Sequence, residues 1–255
     1  MNKLMMAAAG SLSLLVVACG SNSTETNQEN VNNTEVTASN TAVNQLTSEE
    51  KNAGWVLLFD GQTLNGWRTY QNKPADSWNV QDSLLHCTGS TTDKSDLRSD
   101  LITSDQFENY ELSIDWKISP QGNSGILYMV SEEAKATYMT GPEYQIIDDI
   151  GFPEKLEDWQ KTGANYAMNP APQAAPRPVG EWNNTRIVVN NGRVEHWLNG
   201  DKIVEYDMNS DEWKENKTKG KWKDTPTYGT YRKGHIALQD HGSEAWFRNI
   251  KIRPL

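Results

Sequence analysis

From Tyr110 to Ile118 the chain reads Tyr-Glu-Leu-Ser-Ile-Asp-Trp-Lys-Ile, an apolar and polar alternation with the period of a strand that buries one face. Pro120 and Gly122 end it. Shorter runs of the same character occupy residues 55–59, 78–80, 84–87, 126–129, 186–189, 194–198, 203–206, 235–239 and 245–252. Asn191-Gly192 and Asn199-Gly200 fall between such runs, where Asn and Gly tolerate the positive φ of a tight hairpin. The pattern predicts an all-β fold: two antiparallel sheets in a sandwich or jelly roll, with strands remote in sequence meeting in one sheet. Three stretches break the rhythm: residues 131–140, residues 151–180 with five of the ten prolines, and residues 209–233. Long loops on a β scaffold are where binding concentrates. Within the last stretch, Ser210 before Asp211-Glu212 predicts a short capped helix.

The first residues read as an address. Lys3, a mostly apolar run from Met5 to Ala18, and Val16-Val17-Ala18-Cys19 match a bacterial lipoprotein signal, with Cys19 as the lipidated residue. The run is too short to span a membrane. No acidic residue follows Cys19, which points to the outer membrane, facing the periplasm or the surface. Residues 19–50 are Ser, Thr, Asn, Gln and Glu with few large apolar side chains, so a flexible tether is expected there. The predicted organisation is thus a signal peptide at 1–18, a tether at 19–50 and one β domain at 51–255.

Ten Trp and nine Tyr against four Phe favour rings that both stack and hydrogen-bond, a surface suited to sugars. A net charge of -10 disfavours nucleic acid or an anionic membrane surface as partner, leaving the lipid anchor as the membrane contact. With Cys19 lipidated, Cys87 has no intramolecular disulfide partner and is expected to be a buried apolar residue.

Candidate chemistry gathers at two places. In Gly141-Pro-Glu143-Tyr-Gln145-Ile-Ile-Asp148-Asp149 an extended chain places Glu143, Gln145 and Ile147 on one face and Tyr144 and Ile146 on the other. His235-Ile-Ala-Leu-Gln239-Asp240-His241-Gly242 repeats the anomaly near the other end. If these two strands are neighbours, they wall one groove. Each residue has a structural alternative: a strand-end ion pair for Glu143, and turn hydrogen bonds for His241, Asp148, Asp149 and Asn123. His196 reads as a satisfied core histidine, and Arg98 and Arg248 as ion-pair partners, with Arg98 also near enough to a loop to touch a sugar. Trp159, Trp213 and Trp222 lie in the irregular stretches, as sugar platforms or as loop packing.

Leu58-Phe-Asp60-Gly61, Leu64-Asn-Gly66-Trp67, Gly122-Asn123-Ser124-Gly125-Ile126, Gly141-Pro-Glu143-Tyr-Gln145, Gly180-Glu-Trp182-Asn183, Trp197-Leu-Asn199-Gly200, the His235 to Gly242 stretch and Phe247-Arg248-Asn249-Ile250 follow one another in order. Together they resemble the 3-keto-disaccharide hydrolase family over nearly all of residues 55–255. The resemblance implies a concanavalin-like jelly roll, similar to laminarinase-type glycoside hydrolases, with a ligand groove on its concave sheet. Those hydrolases carry Glu-x-Asp-x-x-Glu; here Gln145 and Asp148 stand at the second and third acid positions. A retaining reaction needs carboxyl groups about 5 Å apart, so ordinary glycoside hydrolysis is demoted.

The resemblance implies instead cleavage of a 3-ketoglycoside. The ketone acidifies the hydrogen at carbon 2, a base removes it, the glycosidic oxygen leaves carbon 1 by β-elimination, and water adds to the glucal. Such a path needs a base, an acid and a stabiliser of the enolate. Glu143 and His241 are the candidate base and acid, in either order; Asn123, Gln145, Gln239, Arg98 and Trp159 are candidate substrate contacts. Glu143, Asp148 and His241 are candidate ligands of a divalent cation, calcium or manganese by ligand hardness, acting as a Lewis acid. Two rival functions are a non-catalytic carbohydrate-binding lipoprotein and a conventional glycoside hydrolase.

Overall fold

The alternation at Tyr110–Ile118 becomes the long central strand of a two-sheet sandwich, in a computed structural model that describes residues 42–89 and 97–255. In chain order the elements are α1 (Ser48–Asn52), β1 (Val56–Leu57), β2 (Trp67–Thr69), β3 (Trp78–Gln81), β4 (Leu84–Thr88), β5 (Leu101–Thr103) and β6 (Tyr110–Ile118). They continue as β7 (Asn123–Val130), β8 (Glu143–Ile147), β9 (Asn183–Asn190), β10 (Arg193–Leu198), β11 (Asp201–Asp207), α2 (Asp211–Lys219), β12 (His235–Leu238) and β13 (Glu244–Pro254). The apolar N-terminal run, Cys19 and the stretch up to residue 41 lie outside the described residues.

One sheet runs β11-β10-β9-β6-β13-β4-β3, with β1 added on β13; the other runs β2-β5-β12-β7-β8. All pairings are antiparallel, and strands far apart in sequence are neighbours in both sheets, as in the expected concanavalin-like jelly roll. The two hairpins form as the sequence implies: Asn191 and Gly192, then Asn199 and Gly200, all take positive φ and join β9 to β10 and β10 to β11. Ser210 caps α2, its hydroxyl accepting the Trp213 N–H at 3.1 Å. Strands β2 and β5, three residues each, are too short for periodicity to reveal.

The core lies between the sheets. Leu112, Ile114, Trp116 and Ile118 of β6 and Phe247 and Ile252 of β13 meet Leu101, Ile126, Tyr128, Tyr144, Ile146 and Leu238 of the smaller sheet. Fully burying such a side chain contributes about 1.5–3 kcal/mol. Cys87 belongs to this core, where burial pushes its thiol well up. His196 is fully buried, its Nε2 bonded to the Tyr128 hydroxyl at 2.7 Å and its Nδ1 to the Gly163 carbonyl at 2.8 Å; burial lowers its pKa to about 4. It is a structural histidine.

The boundary between tether and domain requires a correction. Residues 44–50, expected to be tether, are part of the fold. Asn44 is buried and exchanges two hydrogen bonds with Asn249: its N–H donates to Asn249 Oδ1 at 2.7 Å, and the Asn249 N–H donates to Asn44 Oδ1 at 2.8 Å. Asn44 Nδ2 also donates to the Ser83 carbonyl at 2.7 Å. Thr47 and Glu50 cap α1 reciprocally, and Glu50 pairs with Lys251. Polar composition suggested a tether because the anchoring uses hydrogen bonds rather than apolar burial.

Candidate active site

The smaller sheet has one face against the core and one turned outward, and successive residues divide between them. Register pairs Gly125 with Gln145, Leu127 with Glu143, and Ala237 with both Leu127 and Ile102. Tyr144 and Ile146 therefore enter the core while Glu143 and Gln145 face out, as the alternation predicts. Tyr70, Ile102, Leu127, Val130 and Ala237 form a second small cluster on the outward side. Beside it opens a cavity of about 340 Å³, lined by Asn123, Glu143, Gln145, Gln239 and His241 from the sheet and strand ends, and by Tyr138, Tyr166, Lys221 and Trp222 from the loops. β8 and β12 are not adjacent; β7 lies between them and contributes Asn123.

Gly125 gives Glu143 its place, because any Cβ there would run into the Glu143 carboxyl. No cation pairs with that carboxyl among the described residues. Burial, reinforced by the negative charge of Asp100, pushes its pKa up to about 8; the Lys221 charge and the Gln239 amide pull the other way. A carboxylic acid with that proton affinity is suited to moving protons near neutral pH. Asn123 Oδ1 and Gln239 Oε1 are buried without hydrogen-bond partners. Since buried polar atoms are normally satisfied, two orphans at one cavity mark a place for a polar ligand. Gln145 Oε1 accepts its neighbour's N–H, from Ile146, at 3.0 Å.

The loops supply what the strands lack. Lys221 Nζ lies 4.2 Å over the Tyr166 ring and 5.0 Å from the Trp222 centroid. Trp222 stacks on Tyr228 at 4.1 Å, Tyr228 on Trp213 at 6.0 Å, and Trp213 on Tyr206 at 5.0 Å. Trp213 is thus a packing residue, and Trp222 is the member of the stack that lines the cavity. Tyr138, Tyr166 and Lys221 escaped the sequence reading. The one signal for Lys221 was its place beside Trp222 in a Lys-rich loop.

Four expected residues fall elsewhere or at the margin. Asp148 is not in this cavity: its carboxylate accepts backbone N–H groups from Gln121 at 2.8 Å, Gly151 at 2.8 Å and Ile150 at 3.2 Å. The turn-stabilising role is the one it fills, and those bonds hold its pKa low despite burial. Asp149 likewise accepts the Thr162 N–H at 2.9 Å. Arg98 lines an adjoining lobe, and Trp159 packs edge-on against Tyr166 at 5.5 Å, next to a neighbouring cleft that shares Lys221. The expected metal set of Glu143, Asp148 and His241 is not assembled, since Asp148 lies outside the cavity, bonded to its own turn at Ile150 and Gly151 and to Gln121 of the β6–β7 connection. Among the described residues no group of three His, Cys, Asp or Glu side chains is placed to hold a metal ion. The donors at the cavity therefore do not fit the expected calcium or manganese site.

A larger cavity, about 430 Å³, opens where β6 and β8 end, between Trp116, Ile147, Ile150 and Pro176 to Val179. It is mostly apolar, and its Asp148 is committed to the turn. Burial also raises the pKa of its Asp149 carboxyl, which is bonded to the Thr162 N–H; the unpartnered amide oxygens of Asn123 and Gln239 single out the smaller cavity instead.

Residues 54–253 match the 3-keto-alpha-glucoside-1,2-lyase-like domain. A 3-keto-disaccharide hydrolase of Bacteroides thetaiotaomicron is 32% identical over 228 residues, 79% of this chain and 79% of the relative. A crystal structure from Parabacteroides distasonis, described as a glycosyl hydrolase, is 42% identical with a TM-score of 0.78, covering 84% of this chain and 100% of that one. A second such structure from that organism is 29% identical with a TM-score of 0.61, covering 79% of this chain and 99% of that one. With a match that spans almost the whole sandwich and a curated relative of this identity, the chain belongs to the 3-keto-alpha-glucoside-1,2-lyase-like family, the 3-keto-disaccharide hydrolases.

Proposed function

We propose that this protein cleaves the glycosidic bond of a 3-ketoglycoside by removing the proton at carbon 2, expelling the glycosidic oxygen from carbon 1, and letting water add to the resulting enone. The observation that carries this reading is Glu143: a buried carboxyl without a cation partner, facing a cavity with two unpartnered amide oxygens. Ionised Glu143 takes the carbon-2 proton; its raised pKa makes it the stronger base. The electron pair moves to the ketone oxygen as an enolate, where the Lys221 ammonium stabilises the charge. The enolate collapses to a carbon 1–carbon 2 double bond, and His241, exposed at the mouth, gives its proton to the departing oxygen. In an α-glucoside the carbon-2 hydrogen and the carbon-1 oxygen are axial on opposite faces of the ring. The reading requires Glu143 and His241 to approach the ring from opposite faces. Asn123, Gln145 and Gln239 bind sugar hydroxyls.

Incubation with a 3-keto-α-glucoside and with its unoxidised parent tests the reading. Selective loss of the keto compound, with a transient enone absorbance, is expected. Cleavage of the parent would make this a conventional glycoside hydrolase, and binding without turnover a carbohydrate-binding protein. The lipoprotein reading is proposed alongside: palmitate labelling in a bacterial host should be lost on Cys19→Ala.

A further inference from the structure

The Glu143 cavity opens into a second lobe of about 260 Å³ that shares Tyr138, Gln239 and His241 with it. Three cations line this lobe: Lys73, Arg98 and Lys135. Among the described residues none of the three has an ion-pair partner, although acids outnumber bases 34 to 24 along the chain. They are held in place by other means. Lys73 Nζ donates to the Lys135 carbonyl at 3.1 Å and lies 5.3 Å over the Tyr70 ring. The Arg98 guanidinium rests on Gly242, where a side chain would collide with it, next to His241; its Nε is buried without a partner.

Of the two carboxylates of the lobe, Asp100 has both oxygens on protein donors and Asp240 has one, its Oδ2 being buried without a hydrogen-bond partner. Asp100 accepts the Asp240 N–H at 2.9 Å and the Thr137 hydroxyl, and Asp240 accepts the Gly242 N–H at 3.0 Å. The cations are left to face whatever enters.

We propose that this lobe is a subsite for an anionic group, carboxylate or phosphate, carried by the leaving group of a substrate whose oxidised ring sits in the Glu143 cavity. This rests on the reading under Proposed function. Lys73 and Lys135 attract the anion from solvent, and Arg98 provides the planar donor edge for an oxyanion.

The test compares kcat/KM for two disaccharide derivatives oxidised at carbon 3 of the non-reducing ring: 3-ketomaltobionate, ending in a carboxylate, and 3-ketomaltitol, ending in an alcohol. A second arm compares 3-ketotrehalose 6-phosphate with 3-ketotrehalose. A preference of roughly tenfold for the anionic member is expected in at least one arm, shrinking in 0.5 M NaCl. The arm that responds identifies the anion. In Lys135→Gln, Lys73→Gln and Arg98→Gln the ratio should fall toward one; the two surface lysines carry the test if the arginine variant does not fold. Equal rates in both arms, or a preference unchanged in all three variants, would overturn the subsite. Calorimetry of unoxidised maltobionate against maltitol on Glu143→Gln protein separates this from the reaction itself. Tighter maltobionate binding to the variant, with no keto-sugar turnover by the wild-type protein, would retain the subsite and discard the reaction, and equal binding would discard the subsite.

Discussion

Tyr144 and Glu143 are neighbours on one strand, both almost wholly buried, and they do opposite work. Tyr144 lies with Ile146 among the aromatic and aliphatic side chains between the sheets. Glu143 and Gln145 face the other way into a cavity that leaves amide oxygens unpartnered and a carboxyl protonated near neutral pH. Low exposure therefore means two different things across the thickness of one sheet. At Tyr144 and Ile146 it reports packing and contributes stability; at Glu143 it reports a carboxyl taken out of water without a cation partner among the described residues, which costs stability.

The largest expected effect breaks the outer face alone. Glu143→Gln should lower kcat by 10²–10⁴-fold, measured on a 3-keto-α-glucoside. Its effect on stability should have the opposite sign. Because the folded state holds the Glu143 proton up to about pH 8 while an unfolded chain releases it near 4.5, wild-type stability falls as pH rises through that window. The amide does not titrate, so the variant should gain in Tm relative to wild type from pH 5 to pH 8, at ~2–4 °C per kcal/mol for a domain of this size. A Tm difference that is flat with pH would remove the raised carboxyl from the account.

Ile146→Ala breaks the inner face. It should cost about 2–5 kcal/mol in chemical denaturation, with activity per folded molecule within a few-fold of wild type. A selective loss of turnover at full stability would erase the distinction between the faces.

Lys221→Met sharpens the outer face. Removing a cation that favours ionised Glu143 should move the rising limb of the kcat/KM profile above its wild-type position near pH 8, while also lowering kcat. An unmoved limb would show that Lys221 serves only to hold the Tyr166 and Trp222 loops. The smallest effect lies far from both faces: Asn44→Ala should cost about 1–3 kcal/mol by orphaning Asn249 and the Ser83 carbonyl, with catalysis unchanged.

Much of the β framework is legible along the chain because strand periodicity and hairpin chemistry are local. Alternation at 110–118 and 143–147, and Asn-Gly at 191–192 and 199–200, each need only neighbouring residues to declare themselves. Gln239 and His241 could be grouped with Glu143 because polar side chains interrupt apolar strands in both places. Lys221 and Tyr166 could not, since loops carry no period that says which way they fold back. Asp148 misled because its spacing from Glu143 suggests a shared site, while only the turn geometry reveals three backbone donors waiting for its carboxylate. Asn44 misled in the same way, as a polar residue whose partner lies 205 positions later. The sequence by itself determined which face of the longer alternating strands meets the core, because a two-residue period is a property of the backbone. Which loops close over the outer face, and which acid keeps its proton there, was decided only in three dimensions, because burial and the charges around a carboxyl come from segments distant along the chain.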